Sequence, residues 1–170
     1  MIESTVETER RAAVVRSDGE YRLVTNQAVP AGTLLFVLEG ELTATPTRYT
    51  VQFDENRHVD MPAGCPLEEV LDRYYWRFMN HACEPTAVIH DRSVLSLRPI
   101  PAWSEITFHY ASTEYDMAEP FTCCCGSDRC DGVIQGFRYL PGERREELRG
   151  LLSSYLLAVL DGQVAEPVGA

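Results

Sequence analysis

Lysine is absent from this chain. All fifteen basic residues are arginines, set against twenty-six acidic residues, and the formal net charge is −11 at pH 7. A field of that sign repels nucleic acid, which proteins bind largely by neutralising phosphate, and it favours basic partners. Plain solubility is its simpler use. If the protein modifies lysine side chains, it cannot modify its own. Long hydrophobic runs are missing as well, since no apolar stretch approaches the roughly 20 residues that a membrane-spanning helix requires. The acidic opening, residues 1–10, has no apolar h-region and does not read as a secretory signal, so a cytoplasmic protein is expected. Internal repeats and low-complexity tracts are also missing, and a chain of 170 residues fits one domain with a substantial core.

What is present is a succession of short apolar runs separated by turn signals. Residues 12–16 and 21–25 flank Ser17-Asp18-Gly19-Glu20, and Asp-Gly is a strong hairpin turn. Pro30-Ala31-Gly32 marks a second turn before the apolar run 33–38, and Glu39-Gly40 a third. Residues 48–53 and 56–60 read as a strand pair, as do 87–89 and 93–97 around His90-Asp91-Arg92, and 105–110 reads as a later strand. A first helix is expected from Pro66 as its N1 residue, with Leu67, Val70, Leu71, Tyr74 and Phe78 on one face. Leu148, Leu151, Leu152, Tyr155, Leu156, Val159 and Leu160 recur at helical spacing and predict an amphipathic helix from about 143 to 160. That helix packs on its own domain or supplies a homodimer contact. The class is mainly β, a β-rich α+β chain.

Cys123, Cys125 and Cys130 form a C-x-C-x4-C cluster, with Cys124 between the first two, Cys83 forty residues upstream and Cys65 alone. Three thiolates cannot fill a tetrahedral zinc site, and Cys83, in a turn beside Pro85, is the natural fourth ligand. A disulfide framework and unpaired core thiols are the competing readings, the first opposed by a reducing compartment. Strand alternation turns Cys124 away from the metal, and Cys65 reads as a buried structural thiol. A four-cysteine zinc site is closed, so its work is structural.

Arg77-Phe78-Met79-Asn80-His81-Ala82-Cys83-Glu84-Pro85 resembles the R-F-x-N-H-S-C-x-P-N signature of SET-domain lysine methyltransferases. Glu105-Ile106-Thr107-Phe108-His109-Tyr110 is similar to that family's E-L-T-F-D-Y, and Cys123 through Gly132 to its post-SET C-x-C-x4-C-x-G element. Residues 29–41 resemble the family's I-P-K-G-T-x-I-x-E-Y-x-G-E region. The resemblance implies small curved sheets with a pseudoknot, a SET domain over 1–116, a post-SET zinc segment over 117–140 and a C-terminal helix and tail over 141–170. It implies methyl transfer from S-adenosylmethionine to a lysine amine, with Tyr110 orienting the acceptor. Glu20, Tyr21, Arg22, Arg77, Asn80, His81, Tyr110 and Ile134 would bind the cofactor. Phe108, Trp76 and Tyr115 would line the substrate channel, to which Tyr49 and Phe53 are further aromatic candidates. Cys83, Cys123, Cys125 and Cys130 would hold structural zinc.

Three departures from the family pattern bear on function. Glu20 and Arg22 replace glycines of the cofactor loop, where glycine lets the backbone approach a ligand. Leu38 stands where a channel tyrosine is common, and Thr86 replaces the terminal Asn of the signature. The expected partner is therefore a basic protein or peptide tail, a small amine or a biosynthetic peptide, and a catalytically silent interaction module is the reading from another class. Neither nucleic acid nor a membrane is an expected partner.

Overall fold

The computed structural model describes residues 9–168. The acidic opening, residues 1–8, lies outside them.

The expected hairpins form where turn chemistry dictates. Strands β1 (Ala12–Ser17) and β2 (Glu20–Thr25) pair in register around Asp18 and Gly19, both at positive φ. Strand β3 (Leu34–Val37) follows the Gly32 turn, then β4 (Glu41–Thr43), β5 (Val51–Asp54) and β6 (Arg57–Asp60), which form a sheet in the order β4-β6-β5. Gly40 enters β4 at φ 149°, and a side chain there would overlap the Asp60 carbonyl.

The first helix is shorter than its apolar pattern. Helix α1 covers Leu67–Asp72, with Pro66 at the N-cap and not at N1. Leu67 is exposed while Val70 is buried. Tyr74 and Phe78 are carried inward by a separate 3-10 turn, Tyr75–Phe78, which bends the chain after Arg73. The Trp76 indole N–H then reaches the Glu39 carbonyl at 2.9 Å.

Strand β7 (Asn80–His81) leads through a turn to β8 (Ala87–His90) and β9 (Ser93–Ser96), and the second sheet has the order β3-β9-β8. The predicted strand 105–110 keeps only two residues in regular pairing, β10 (Thr107–Phe108), before Tyr110–Ser112 turns into a 3-10 helix. β10 lies parallel to β7, with Thr107 opposite Asn80 and Phe108 opposite His81. Two isolated bridges, Val24 to Glu105 and Val29 to Ile100, tie this segment to the first hairpin. Small sheets thus surround one core that includes Leu23, Leu38, Val59, Trp76, Ile89 and Ile106.

A second core belongs to the C-terminal segment. Strands β11 (Phe121–Thr122) and β12 (Val133–Ile134) pair antiparallel across the cysteine loop. The continuous helix expected over 143–160 is instead α2 (Gly142–Glu147), a 3-10 turn (Arg149–Leu151) and α3 (Ser154–Leu160). The break lies at Leu152 and Ser153, both extended, where the Ser153 N–H donates to the Ser112 carbonyl at 2.8 Å and its hydroxyl caps the Leu156 N–H. Leu148, Leu152, Tyr155, Leu156 and Val159 nonetheless reach one cluster with Tyr115 and Phe137, so the apolar face offered for a dimer is taken up within the chain. Each such buried side chain contributes roughly 1.5–3 kcal/mol. Among the described residues no helix is long and apolar enough to cross a membrane.

Gly136 joins the two cores at φ 116°, where a Cβ would meet the Tyr115 carbonyl oxygen at 2.6 Å. Backbone is on both sides of that contact, so it cannot yield cheaply. Gly136→Ala is expected to destabilise the protein by roughly 2–4 kcal/mol, the combined cost of left-handed strain and overpacking. Urea denaturation of wild type and variant checks this.

Candidate functional site

The parallel pair β7–β10 places Asn80, His81 and Tyr110 beside one another, and a cavity of about 430 Å³ opens there. Glu20, Arg77, Asn80, His81 and Tyr110 line it, all named from the sequence, together with Arg48, Tyr49, Glu119 and Phe121. Its size lies within the range of small-molecule sites. The mixture of two arginines, two carboxylates and aromatic rings suits a ligand carrying a carboxylate, an amine, hydroxyls and a flat base.

Tyr21 and Arg22 are not in that wall. Alternation along β2 turns Tyr21 away from Glu20 and onto Phe78, with ring centroids 4.8 Å apart. Arg22 lies two residues further along the strand, opposite Val15. Asn80 Nδ2 donates to Glu105 Oε1 at 2.8 Å, so its amide is held from behind. Arg77 lies over the Tyr49 ring at 4.4 Å and donates to the Met61 sulfur at 2.7 Å.

A second, much narrower pocket of about 30 Å³ shares Arg48, Tyr49, Arg77, Tyr110 and Glu119 with the first. Trp76, Met79, Phe108 and Glu114 also line it, so Phe108 and Trp76 face this narrow space. Tyr115 does not. Its N–H donates to Gln52 Oε1 at 2.8 Å, its hydroxyl to Glu166 at 2.8 Å, and its ring lies against Phe137 in the second core. The chain turns away from the channel after Glu114, and that correction follows from the Gln52 contact.

Tyr110 sits at the junction of the two spaces. Its hydroxyl donates to the Met79 carbonyl at 2.9 Å, and burial holds its pKa well above the ordinary tyrosine range. The backbone N–H of Tyr110 donates to His81 Nδ1 at 3.1 Å. That acceptor role places the His81 proton on Nε2, which lies 3.2 Å from Cys83 Sγ. His81 is therefore a neutral bridge between the tyrosine and the cysteines, its pKa pushed down to about 3 chiefly by burial.

Sulfur atoms of Cys83, Cys123, Cys125 and Cys130 lie within 4.8 Å of one another. Cys83 and Cys123 are 3.9 Å apart, against about 3.8 Å for two thiolates on a tetrahedral zinc at 2.3 Å. The Asp131 N–H donates to Cys83 Sγ at 3.3 Å and the Gly132 N–H to Cys130 Sγ at 3.5 Å, the outer support that thiolate ligands use. Burial pushes Cys83 and Cys123 up, Cys123 to about 11, while backbone N–H groups pull Cys125 down to about 7. A divalent cation would let all four ionise, so these residues fit one. Cys124 is exposed and outside the cluster, and Cys65 is half-buried where a buried thiol was expected.

Ile134 is buried opposite Phe121 and lines a third cavity, of about 380 Å³, with His109, Asp131 and Arg144. His109 faces no solvent: its Nε2 lies 2.7 Å from Asp131 Oδ2, and Arg144 Nε donates to Asp131 Oδ1 at 2.8 Å. This chain of contacts fastens α2 to the cysteine loop. Arg48, Glu114 and Glu119 had no sequence signal, because each enters the site through a loop whose path depends on distant contacts.

The sequence profile of the SET domain matches residues 20–111. Over 114 residues the chain is 35% identical to methyltransferase flvH of Aspergillus flavus, a match covering 64% of this chain and 58% of that protein. Over 81 residues it is 36% identical to the human histone-lysine N-methyltransferase SETD2, covering 43% of this chain and 3% of that one. It is also 31% identical over 98 residues to the H3 lysine-9 specific histone-lysine N-methyltransferase dim-5 of Neurospora crassa, covering 42% and 29% respectively. The chain thus spans a little over half of the first relative and far less of the other two.

Proposed function

From the premise that this chain belongs to the SET-domain family, we propose that it transfers the methyl group of S-adenosylmethionine to an amine, with a protein lysine side chain as acceptor. The observation that carries this reading is the junction at Tyr110, where a wide cavity meets a pocket about the size of a single small group. A wide space suits the donor and a narrow one the end of an alkylamine, and displacement at carbon needs donor, methyl and nitrogen in line.

Each wall has a task in this scheme. Arg77 or Arg48 would meet the donor carboxylate, Glu20 or Glu119 its amine or hydroxyls, and Phe121 its flat base. The Tyr110 O–H points to the Met79 carbonyl, so its oxygen offers lone pairs to an amine N–H. Zinc on Cys83, Cys123, Cys125 and Cys130 would hold the loop that carries Phe121 and Ile134 in place. It would do no chemistry, because four cysteines leave no open position. The net charge of −11 supports a basic acceptor protein.

A small amine is the second reading. Only one hairpin, β5–β6, lies between β4 and α1, so little chain is available there to grip a long peptide. The test is a titration of the zinc-loaded protein with S-adenosylmethionine and with its demethylated product. Methyl-transfer assays on core histones and on Nα-acetyl-lysine methylamide accompany it. Binding with transfer to histones supports the first reading, and transfer to the small amine alone supports the second. Absence of binding would return the chain to the interaction-module class.

A further inference from the structure

Glu114 stands in the wall of the narrow pocket with Tyr110, Phe108 and Trp76. It is only 8% exposed. Its Oε1 accepts from the Gln52 N–H at 2.8 Å and from the Thr113 hydroxyl at 3.1 Å. Its Oε2 accepts no hydrogen bond among the described residues, and His58 Nδ1 stands 4.0 Å away. One oxygen is thus held by the protein, while the other has no partner among the described residues and keeps some solvent access in the wall of the pocket, where a ligand can reach it. Burial raises its pKa to about 7 and lowers that of His58.

Methyl transfer consumes a neutral amine, yet a primary alkylamine has a pKa of about 10.4 and arrives protonated at neutral pH. Tyr110 is poorly placed to take that proton. Its own O–H is retained by burial and already engaged with Met79.

We propose that Glu114 is the proton acceptor for the incoming amine, and that the pocket therefore selects substrates that enter as alkylammonium ions. The inference rests on the methyltransferase reading above. In the step, one N–H bond of R–NH3+ breaks, its proton goes to Oε2, and the nitrogen keeps the electron pair. That pair forms the new N–C bond while the S–C bond of the sulfonium breaks, its electrons remaining on sulfur. The products are R–NH2–CH3+, a neutral thioether and protonated Glu114, whose proton passes to solvent as the product leaves. The other titratable or charged groups around Glu114 are His58 on β6, Tyr110, and the Arg48, Tyr49, Arg77 and Glu119 side chains of the shared wall. Arg48 and Glu119 are 3.9 Å apart and largely offset each other's charge.

Glu114→Gln keeps the acceptor oxygen for Gln52 and Thr113, and its new amide can donate to His58. Because the folded pKa of Glu114 lies above its unfolded value, its stabilising contribution is complete below about pH 4.3 and is lost as pH rises through about 7. The Gln variant should therefore melt no lower than wild type at pH 8, and should bind S-adenosylmethionine normally. Initial rates on n-butylamine, Nα-acetyl-lysine methylamide and core histones, measured from pH 6 to 10, test the inference. The wild-type rate should rise through about pH 7 and level off. The Gln variant should be slower by about 10²-fold at pH 7 and gain on wild type toward pH 10, as the amine loses its proton to water instead. Glu114→Asp should keep the wild-type profile at a lower rate. Parallel profiles for wild type and the Gln variant would overturn the role of Glu114 and leave the methyltransferase reading standing. A wild type inactive on all three amines at every pH would overturn both.

Discussion

Cys123→Ser should abolish binding of S-adenosylmethionine while leaving most of the protein folded. Strands β11 and β12 share only two residue pairs, far too few to hold a loop closed on their own. Four thiols gather across it, Cys83 on one side and Cys123, Cys125 and Cys130 on the other, where a metal would close the loop. Structural zinc in such settings supplies apparent binding free energies of about 10 kcal/mol or more, and that energy becomes folding energy for whatever the metal organises. On these four cysteines it would organise Phe121, a wall of the wide cavity, and Asp131, the anchor of Arg144. The larger core, from Ala12 to Phe108, contains none of these residues. Calorimetry should show affinity for the donor falling by more than 100-fold, and limited proteolysis should cut within 117–135. Far-ultraviolet circular dichroism should change little. Strong chelation of the wild type should reproduce the phenotype, whereas Cys124→Ser should reproduce none of it.

Tyr110→Phe should separate binding from turnover. The ring makes edge contacts with His81 and Phe121 and a tilted one with Phe108, all of which phenylalanine keeps. What is lost is a single oxygen at the junction of the two pockets. A donor or acceptor placed where charge moves in a transition state accounts for about 10²–10³ in kcat when removed. We expect kcat to fall by about 10³-fold with donor affinity changed less than threefold, read by single-turnover kinetics beside calorimetry. A variant that binds the donor poorly would mean that the hydroxyl shapes the cavity through Met79 and does not serve the reaction.

The sequence was most informative where structure is decided locally. Asp18-Gly19 and the His90-Asp91-Arg92 turn place residues at positive φ between β-branched runs, and both hairpins formed as expected. Hydrophobic spacing picked out buried side chains well in the C-terminal segment, from Leu148 to Val159, but not at Leu67, which is exposed. It could not report that the backbone between Leu148 and Leu156 abandons the helix, since Leu152 remains on the buried side whether or not the helix continues. That break depends on the Ser112 carbonyl, some forty residues earlier. Tyr115 failed for a similar reason, because its direction is set by Gln52 on β5. The cysteine spacing selected the four thiols that gather, and motif order selected Asn80, His81 and Tyr110. Glu114 carried no signal, since one acidic residue among twenty-six acquires meaning only when a pocket forms beside it.

The order of the walls along the chain has a bearing on biosynthesis. Met117, Glu119, Pro120 and Phe121 complete the wide cavity, yet all of them follow the last residue of the larger core, Phe108. A chain emerging from the ribosome at about 5–20 residues per second can therefore bury that core before the cavity exists. The newborn protein can then pass through a stage in which it is compact and still has no cavity for a ligand.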